Sequence, residues 1–176
     1  MFRINPTGRP SDPSIQNPSA GAEPFTASFD ASGHLIVTEA GGVVEGEGSV
    51  SSYVLNPNGT LTTVSAAVAN GQTATCWDAF SRGFLYAVNT GSSTISGYVD
   101  AQGSLSLLDP SGVTAPTNAG PIDVASSGRF LYVEESLTGT LGEFSVASDG
   151  SLTRIGMITG LPVFSNGNGM EGIAAA

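Results

Sequence analysis

The sequence has no lysine, one cysteine (Cys76), one histidine (His34) and one tryptophan (Trp77), and only 11% of its 176 residues are charged. Each scarcity closes off a class of chemistry. A single cysteine cannot form an internal disulfide, and one Cys with one His cannot supply the nitrogen and sulfur ligands of a zinc centre. Five arginines stand against fifteen acidic side chains, a net charge of −10, which repels phosphate backbones and anionic lipid headgroups alike. Neither a nucleic acid nor a membrane is an expected partner. No window approaches the roughly eighteen consecutive apolar residues of a spanning helix. The polar, Pro-rich start lacks the basic stretch and apolar run of an export signal. The length allows one ordinary domain. The compartment stays open between cytoplasmic and exported, because an export signal would lie upstream of Met1.

Glycine (24) and proline (10) are abundant instead, beside Ser, Thr, Asn and β-branched residues. No segment sustains a 3.6-residue apolar period over three turns, so the reading is all-β. Three series of residues then recur. An aromatic near the end of a β-rich run falls at Tyr53, Tyr98 and Phe144, 45 and 46 residues apart, each followed by a polar turn and Gly-Thr/Ser-Leu-Thr/Ser. A glycine opens an apolar run at Gly33-His34-Leu35-Ile36-Val37, at Gly83-Phe84-Leu85-Tyr86-Ala87-Val88 and at Gly128-Arg129-Phe130-Leu131-Tyr132-Val133. A short strand precedes each run, at 24–29, 75–80 and 121–126. Four short strands per unit, at this period, match a β-propeller, whose blades are four-stranded antiparallel sheets around a central channel.

The complete units read as blades 24–66, 72–111 and 121–159. The stretch 2–9 repeats 53–60 at a distance of 51 residues and reads as the outer hairpin of a preceding blade, with 1–23 as hairpin plus linker. Residues 160–176 read as a loop and a final inner strand at 172–175. About three and a half blades are therefore expected, a partial seven-bladed ring, since seven such units need roughly 320 residues. Closure would need either a missing half-ring encoded upstream of Met1 or a second copy of the chain, because repeat arrays need their ends capped.

The pattern Gly-x-Phe/Leu-Leu/Tyr-Tyr/Val-Val-x-Asn/Glu, then Gly-Ser/Thr-x-Ile/Leu-x-x-Tyr/Phe, then Asp/Asn-Gly-Ser/Thr-Leu-Thr resembles the seven-bladed β-propeller lactonase family. That family includes the propeller type of 6-phosphogluconolactonase and the fungal carboxymuconate cyclase. The stretches 35–40, 72–77 and 172–175 look most like bacterial 3-carboxymuconate cyclase-like proteins. The resemblance runs from Phe2 to Ala174. It implies a hydrolase or cyclase that opens or closes a lactone ring without a redox cofactor, on a 6-phosphogluconolactone-like or carboxymuconate-type organic acid. The residues that carry it are turn glycines, core aromatics and strand apolars, which any blade needs. The His, arginines and Glu of the family's cyclase chemistry have no matching positions here. The alternative is a non-catalytic propeller that binds a protein or small ligand, or an inactive fragment of the enzyme.

In a propeller the loops sort onto two faces. That places Glu23, Glu39, Glu45, Glu47, Glu134, Glu135 and Glu171 on one mouth of the channel and Arg9, Arg82 and Arg129 on the other. Converging carboxylates could hold Ca²⁺ or Mg²⁺, or bind a cationic partner, or simply form a solvated acidic surface. No acidic run has the alternation of a calcium loop. Glu39 at the end of a second strand, with Asn89 and Glu134 read as its counterparts in the next two units, and Asp123 on an inner strand, are the candidates for proton transfer and substrate positioning. A carboxylate serves near neutral pH only if burial or a like charge raises its pKa. Ordinary hydrogen bonding is the structural alternative for all four, and for Asp78. Trp77 and Glu171 are candidate ligand contacts, the Trp by stacking on a ring. His34 reads as turn packing and Cys76 as a small buried residue. Residues 167–172 fit G-x-G-x-x-G but open no helix, and so read as a loop. An acidic mouth suits an anionic substrate poorly unless arginines from the missing blades line the channel.

Overall fold

Turn residues decide where each strand ends. Gln102 and Gly103 both take positive φ (56° and 84°), so Ala101 and Ser104 pair directly across a two-residue hairpin whose twist suits antiparallel strands. The computed structural model describes residues 1–10, 13–166 and 169–176, with Val43 described by its backbone alone. Among these residues the regular structure is thirteen strands and one short 3-10 turn at Gly41–Val43. No helix there is long and apolar enough to cross a membrane.

The strands form three antiparallel sheets, each in chain order. The first blade contains β1 (Pro24–Phe29), β2 (Leu35–Glu39), β3 (Ser49–Leu55) and β4 (Leu61–Ala69). The second contains β5 (Thr75–Ser81), β6 (Phe84–Asn89), β7 (Thr94–Ala101) and β8 (Ser104–Leu107), with β9 (Ala115–Pro116) also paired to β7. The third contains β10 (Pro121–Ser127), β11 (Phe130–Glu135), β12 (Thr140–Val146) and β13 (Leu152–Thr159). The innermost strand β5 adjoins β1 on one side and β10 on the other. This is the all-β, partial-propeller architecture that the repeats predict.

Period-two alternation gives every blade a backward and a forward face. In β6, Leu85 and Ala87 face back onto Ile36 and Val50 of the first blade, joined by Tyr98 and Leu105. Tyr86 and Val88 face forward onto Leu131, Val133, Phe144 and Val146 of the third. Burying a Leu, Ile or Phe side chain in such a seam contributes about 1.5–3 kcal/mol. Serines fasten the blades as well: Ser126 Oγ donates to Phe80 O (2.7 Å), Ser81 Oγ to Gly128 O (3.0 Å) and Ser52 Oγ to Gly103 O. The backward face of the first blade, Leu35, Val37 and Tyr53, is covered by the chain's own residues 15–20, with Ala20 N donating to Tyr53 Oη at 2.8 Å.

Three local expectations change. The outermost strand of the second blade breaks after Leu107 and resumes at Ala115, because Pro110 has no N–H for the ladder and Gly112 turns at positive φ. Among the described residues the N-terminal hairpin keeps its turn and one bridge, Ile4 with Pro10. The segment 172–175 lies beside the third blade without forming a strand.

Candidate functional site

The recurring polar position at the end of the second strand is structural. Glu39, Asn89 and Glu135 pair across the sheet with Pro24, Thr75 and Pro121, the first residues of the three inner strands, and all three are fully buried. Glu39 accepts from Ser19 Oγ (2.6 Å), Gly21 N (2.8 Å), Ser51 Oγ (2.7 Å) and Ser49 Oγ (2.6 Å). Asn89 accepts from Thr75 and Asn70 and donates to Thr94 and Ser96. Glu135 accepts from Asn118 N (2.9 Å), Asn118 Nδ2, Thr140 Oγ1 and the Arg154 guanidinium. Burial works against the Glu135 carboxylate, but the Arg154, Asn118 and Thr140 hydrogen bonds outweigh it and hold its pKa low. Each residue ties the loop entering its blade to the third strand. None opens onto the channel, and Glu135, not Glu134, is the counterpart of Glu39 and Asn89. The acidic mouth thins accordingly, since Glu39, Glu134 and Glu135 are all inside the fold.

On and beside the inner strands lies a second set of carboxylates, two of which, Asp78 on β5 and Glu134 on β11, are not fully satisfied among the described residues. Each inner strand has a register shift near its start, between Pro24 and Ala27, Thr75 and Asp78, and Pro121 and Asp123. Such bulges re-aim side chains and are frequent beside active sites. Two aromatics within these shifts, Phe25 and Trp77, are turned outward and meet edge to face at 5.6 Å and 87°, with Trp77 37% exposed. Asp78 follows Trp77. Its Oδ2 accepts from Ser28 Oγ of the first blade (2.6 Å), while its Oδ1 is buried without a hydrogen-bond partner among the described residues. Burial pushes this carboxyl up to about 6, with the charge of Asp123 adding and the Ser28 hydrogen bond offsetting part.

Asp123 and Glu134 lie directly opposite each other on β10 and β11, a like-charge pair that costs stability. Two backbone donors from the C-terminal segment relieve it: Ile173 N to Asp123 Oδ2 (2.9 Å) and Gly172 N to Glu134 Oε2 (3.1 Å). Glu134 Oε1 is nevertheless buried and without a partner among the described residues. Burial, then the charges of Asp123 and Glu171, push the Glu134 carboxyl up. Glu171 itself is exposed. Among the described residues no group of three or more His, Cys, Asp and Glu is placed to hold a metal.

The remaining singled-out residues serve packing. His34 Nδ1 pairs with Asp30 Oδ2 at 2.8 Å, and its ring packs against Gly103. Cys76 is buried, and burial pushes its thiol up. The glycine motif at 167–172 includes Gly167 and Asn168, which lie outside the described residues. Asp78 is the strongest candidate among these carboxylates, and its environment comes from a bulge and from Ser28, fifty residues away.

No family model and no curated protein matches the sequence. Solved structures match by fold. The periplasmic gluconolactonase of Pseudomonas aeruginosa superposes with a TM-score of 0.68 over 92% of this chain and 49% of its own, at 21% identity. A candidate 6-phosphogluconolactonase of Bacteroides uniformis gives 0.64 over 88% and 47%, also at 21% identity. A protein of unknown function from Desulfotomaculum acetoxidans gives 0.67 over 81% and 44%, at 16%. The chain thus spans about half the length of the structures it matches. At these identities the likeness establishes the fold alone, a β-propeller, and leaves the chemistry to be argued from the site.

Proposed function

We propose, for a chain with the fold of the lactonase-like propellers, that its inner strands form part of a channel that hydrolyses a lactone, with Asp78 moving the proton. The observation that carries this reading is the Asp78 carboxyl: one oxygen held by Ser28, the other buried and free, and a pKa of about 6. Such a group is largely ionised at pH 7, yet basic enough to take a proton from water as its oxygen attacks the lactone carbonyl. The resulting acid returns that proton to the ring oxygen as the C–O bond breaks. Water and lactone become a hydroxy acid, with no change of oxidation state. The outward-turned Phe25 and Trp77 supply an apolar platform for the ring, on the strand that carries Asp78 and its neighbour.

The electrostatics favour an uncharged substrate. Asp78, Asp123, Glu134 and Glu171 gather where β5, β10 and the C-terminal segment meet, within a chain of net charge −10. That field repels a phosphorylated or dicarboxylate lactone and tolerates a neutral sugar lactone. A hydrolysis panel of an uncharged aldonolactone, its 6-phosphate and a carboxymuconolactone tests both points. The uncharged compound is expected to react fastest. Asp78→Asn is expected to lower kcat about 100-fold with the fold intact by circular dichroism. Wild-type rates in Asp78→Asn across the panel would leave a non-catalytic binding propeller as the better reading.

A further inference from the structure

The seam between the second and third blades shows what a forward face requires. Tyr86 Oη donates to Gly150 O at 2.7 Å, in the turn Ala147–Ser151 of the next blade. Phe84 packs on the same glycine, where an added Cβ would lie 3.1 Å from its ring. One blade earlier His34 packs on Gly103 in the same way. Strand-start side chain and next-blade turn glycine thus form a plug and socket at both seams within the chain.

The third blade presents the same plug, and among the described residues no turn glycine receives it. Phe130 and Tyr132 hold the register of Phe84 and Tyr86, opposite Ser145 and Glu143 as those are opposite Val99 and Gly97. Along β12, Leu141, Glu143 and Ser145 on this face stay partly exposed, while Thr140, Gly142, Phe144 and Val146 behind them are buried. The Tyr132 hydroxyl makes no hydrogen bond among the described residues, and a cleft of about 390 Å³ opens beside it, lined by Leu141 and the C-terminal segment.

The empty socket is at the other end of the arc. Asn5 N bonds to Arg9 O (2.9 Å) and Gly8 N to Asn5 O (2.9 Å), the same two bonds that close the Ala147–Ser151 turn. Gly8 and Gly150 share φ near 80–90° (81° and 86°). A Cβ at Gly8 would meet nothing within 4 Å among the described residues, whereas one at Gly59 or Gly103 would meet Ile15 or His34. Charge agrees as well: Arg9 lies at the socket, and Glu143 is on the plug face. The chain exposes 8636 Å², against roughly 7,900 Å² for a compact monomer of its mass.

We propose that two copies of this chain close one ring, the Phe130–Tyr132 face of each docking on the Asn5–Arg9 turn of the other. The seam continues the geometry of the two seams inside the chain, and a two-fold axis along the channel makes both new seams identical. The channel wall beyond β10 then comes from the second copy.

The test is the mass of the full chain in solution by sedimentation equilibrium, expected at twice 17.7 kDa at micromolar concentration. Tyr132→Phe should raise the dimer dissociation constant about thirtyfold, about fivefold for one neutral hydrogen bond at each of two seams. Tyr86→Phe removes the equivalent bond inside the chain and should lower thermal stability without moving that constant. A Thr7→Cys chain mixed with an Arg129→Cys chain, both carrying Cys76→Ala, should form a disulfide-linked heterodimer. A monomer of 17.7 kDa overturns the proposal, and one whose Tyr132 face is protected from hydrogen exchange would assign that face to the chain's own C-terminal segment. A dimer indifferent to Tyr132→Phe that gives no cross-link, or an open series of larger oligomers, overturns it too.

Discussion

The recurring residues Glu39, Asn89 and Glu135 and the unrepeated carboxylates Asp78 on β5 and Glu134 on β11 use the same chemical groups to opposite effect. Glu39, Asn89 and Glu135 are buried and each makes four hydrogen bonds. Asp78 and Glu134 each keep one buried oxygen without a partner. A fully satisfied buried group fixes geometry, because every alternative arrangement strands a donor or acceptor at a cost of about 1–3 kcal/mol. A half-satisfied carboxylate destabilises the fold and has a proton-binding oxygen to spare. Recurrence in every blade therefore marks scaffolding, and an unrepeated, unsatisfied acid marks the candidate chemistry.

The sharpest way to break the scaffold half of this contrast is Arg154→Ala. Glu135 would keep only neutral donors around a buried carboxylate, and the expected loss is about 3 kcal/mol at pH 7, read by chemical denaturation. Because the folded Glu135 has a lowered pKa, the stability it contributes is present above the ordinary carboxylate range and disappears as pH falls through its folded value. The difference between wild type and Arg154→Ala should shrink in acid accordingly.

Asp78→Asn tests the other half, and its sign is reversed. The folded carboxyl holds its proton up to about pH 6, against 3.8 when unfolded. Its cost is absent below about pH 4, grows between the two values and is complete above 6. The amide, which keeps an acceptor for Ser28, should stabilise the protein by about 2 kcal/mol at pH 8 and by almost nothing at pH 4, seen as a Tm gain that vanishes in acid. A variant that loses activity yet gains stability would separate function from folding at one residue.

Glu39→Gln should do least. An amide already occupies the equivalent position in the second blade as Asn89, so the expected change is under about 1 kcal/mol, with lactone hydrolysis unaltered.

The fold was legible because its determinants are local. Turn glycines, the aromatics Tyr53, Tyr98 and Phe144 and the alternating strands repeat in the sequence as they do in space. The site was legible only in part. Counting six residues from each turn glycine leads to Glu39, Asn89 and Glu134, but Gly128 takes the first place of its two-residue turn where Gly83 takes the second, so the true counterpart is Glu135. Asp123 and Trp77 were visible as inner-strand residues. The unsatisfied state of Asp78 depends on a bulge and on a serine from another blade, and no local pattern in the sequence encodes either.

One titration reaches the contrast directly: side-chain carboxyl ¹³C shifts of Asp78 and Glu135 followed together by NMR from acid to neutral pH. The account predicts a midpoint near 6 for Asp78 and one below the usual glutamate value of 4.5 for Glu135. An Asp78 that titrates at its ordinary 3.8 would contradict it.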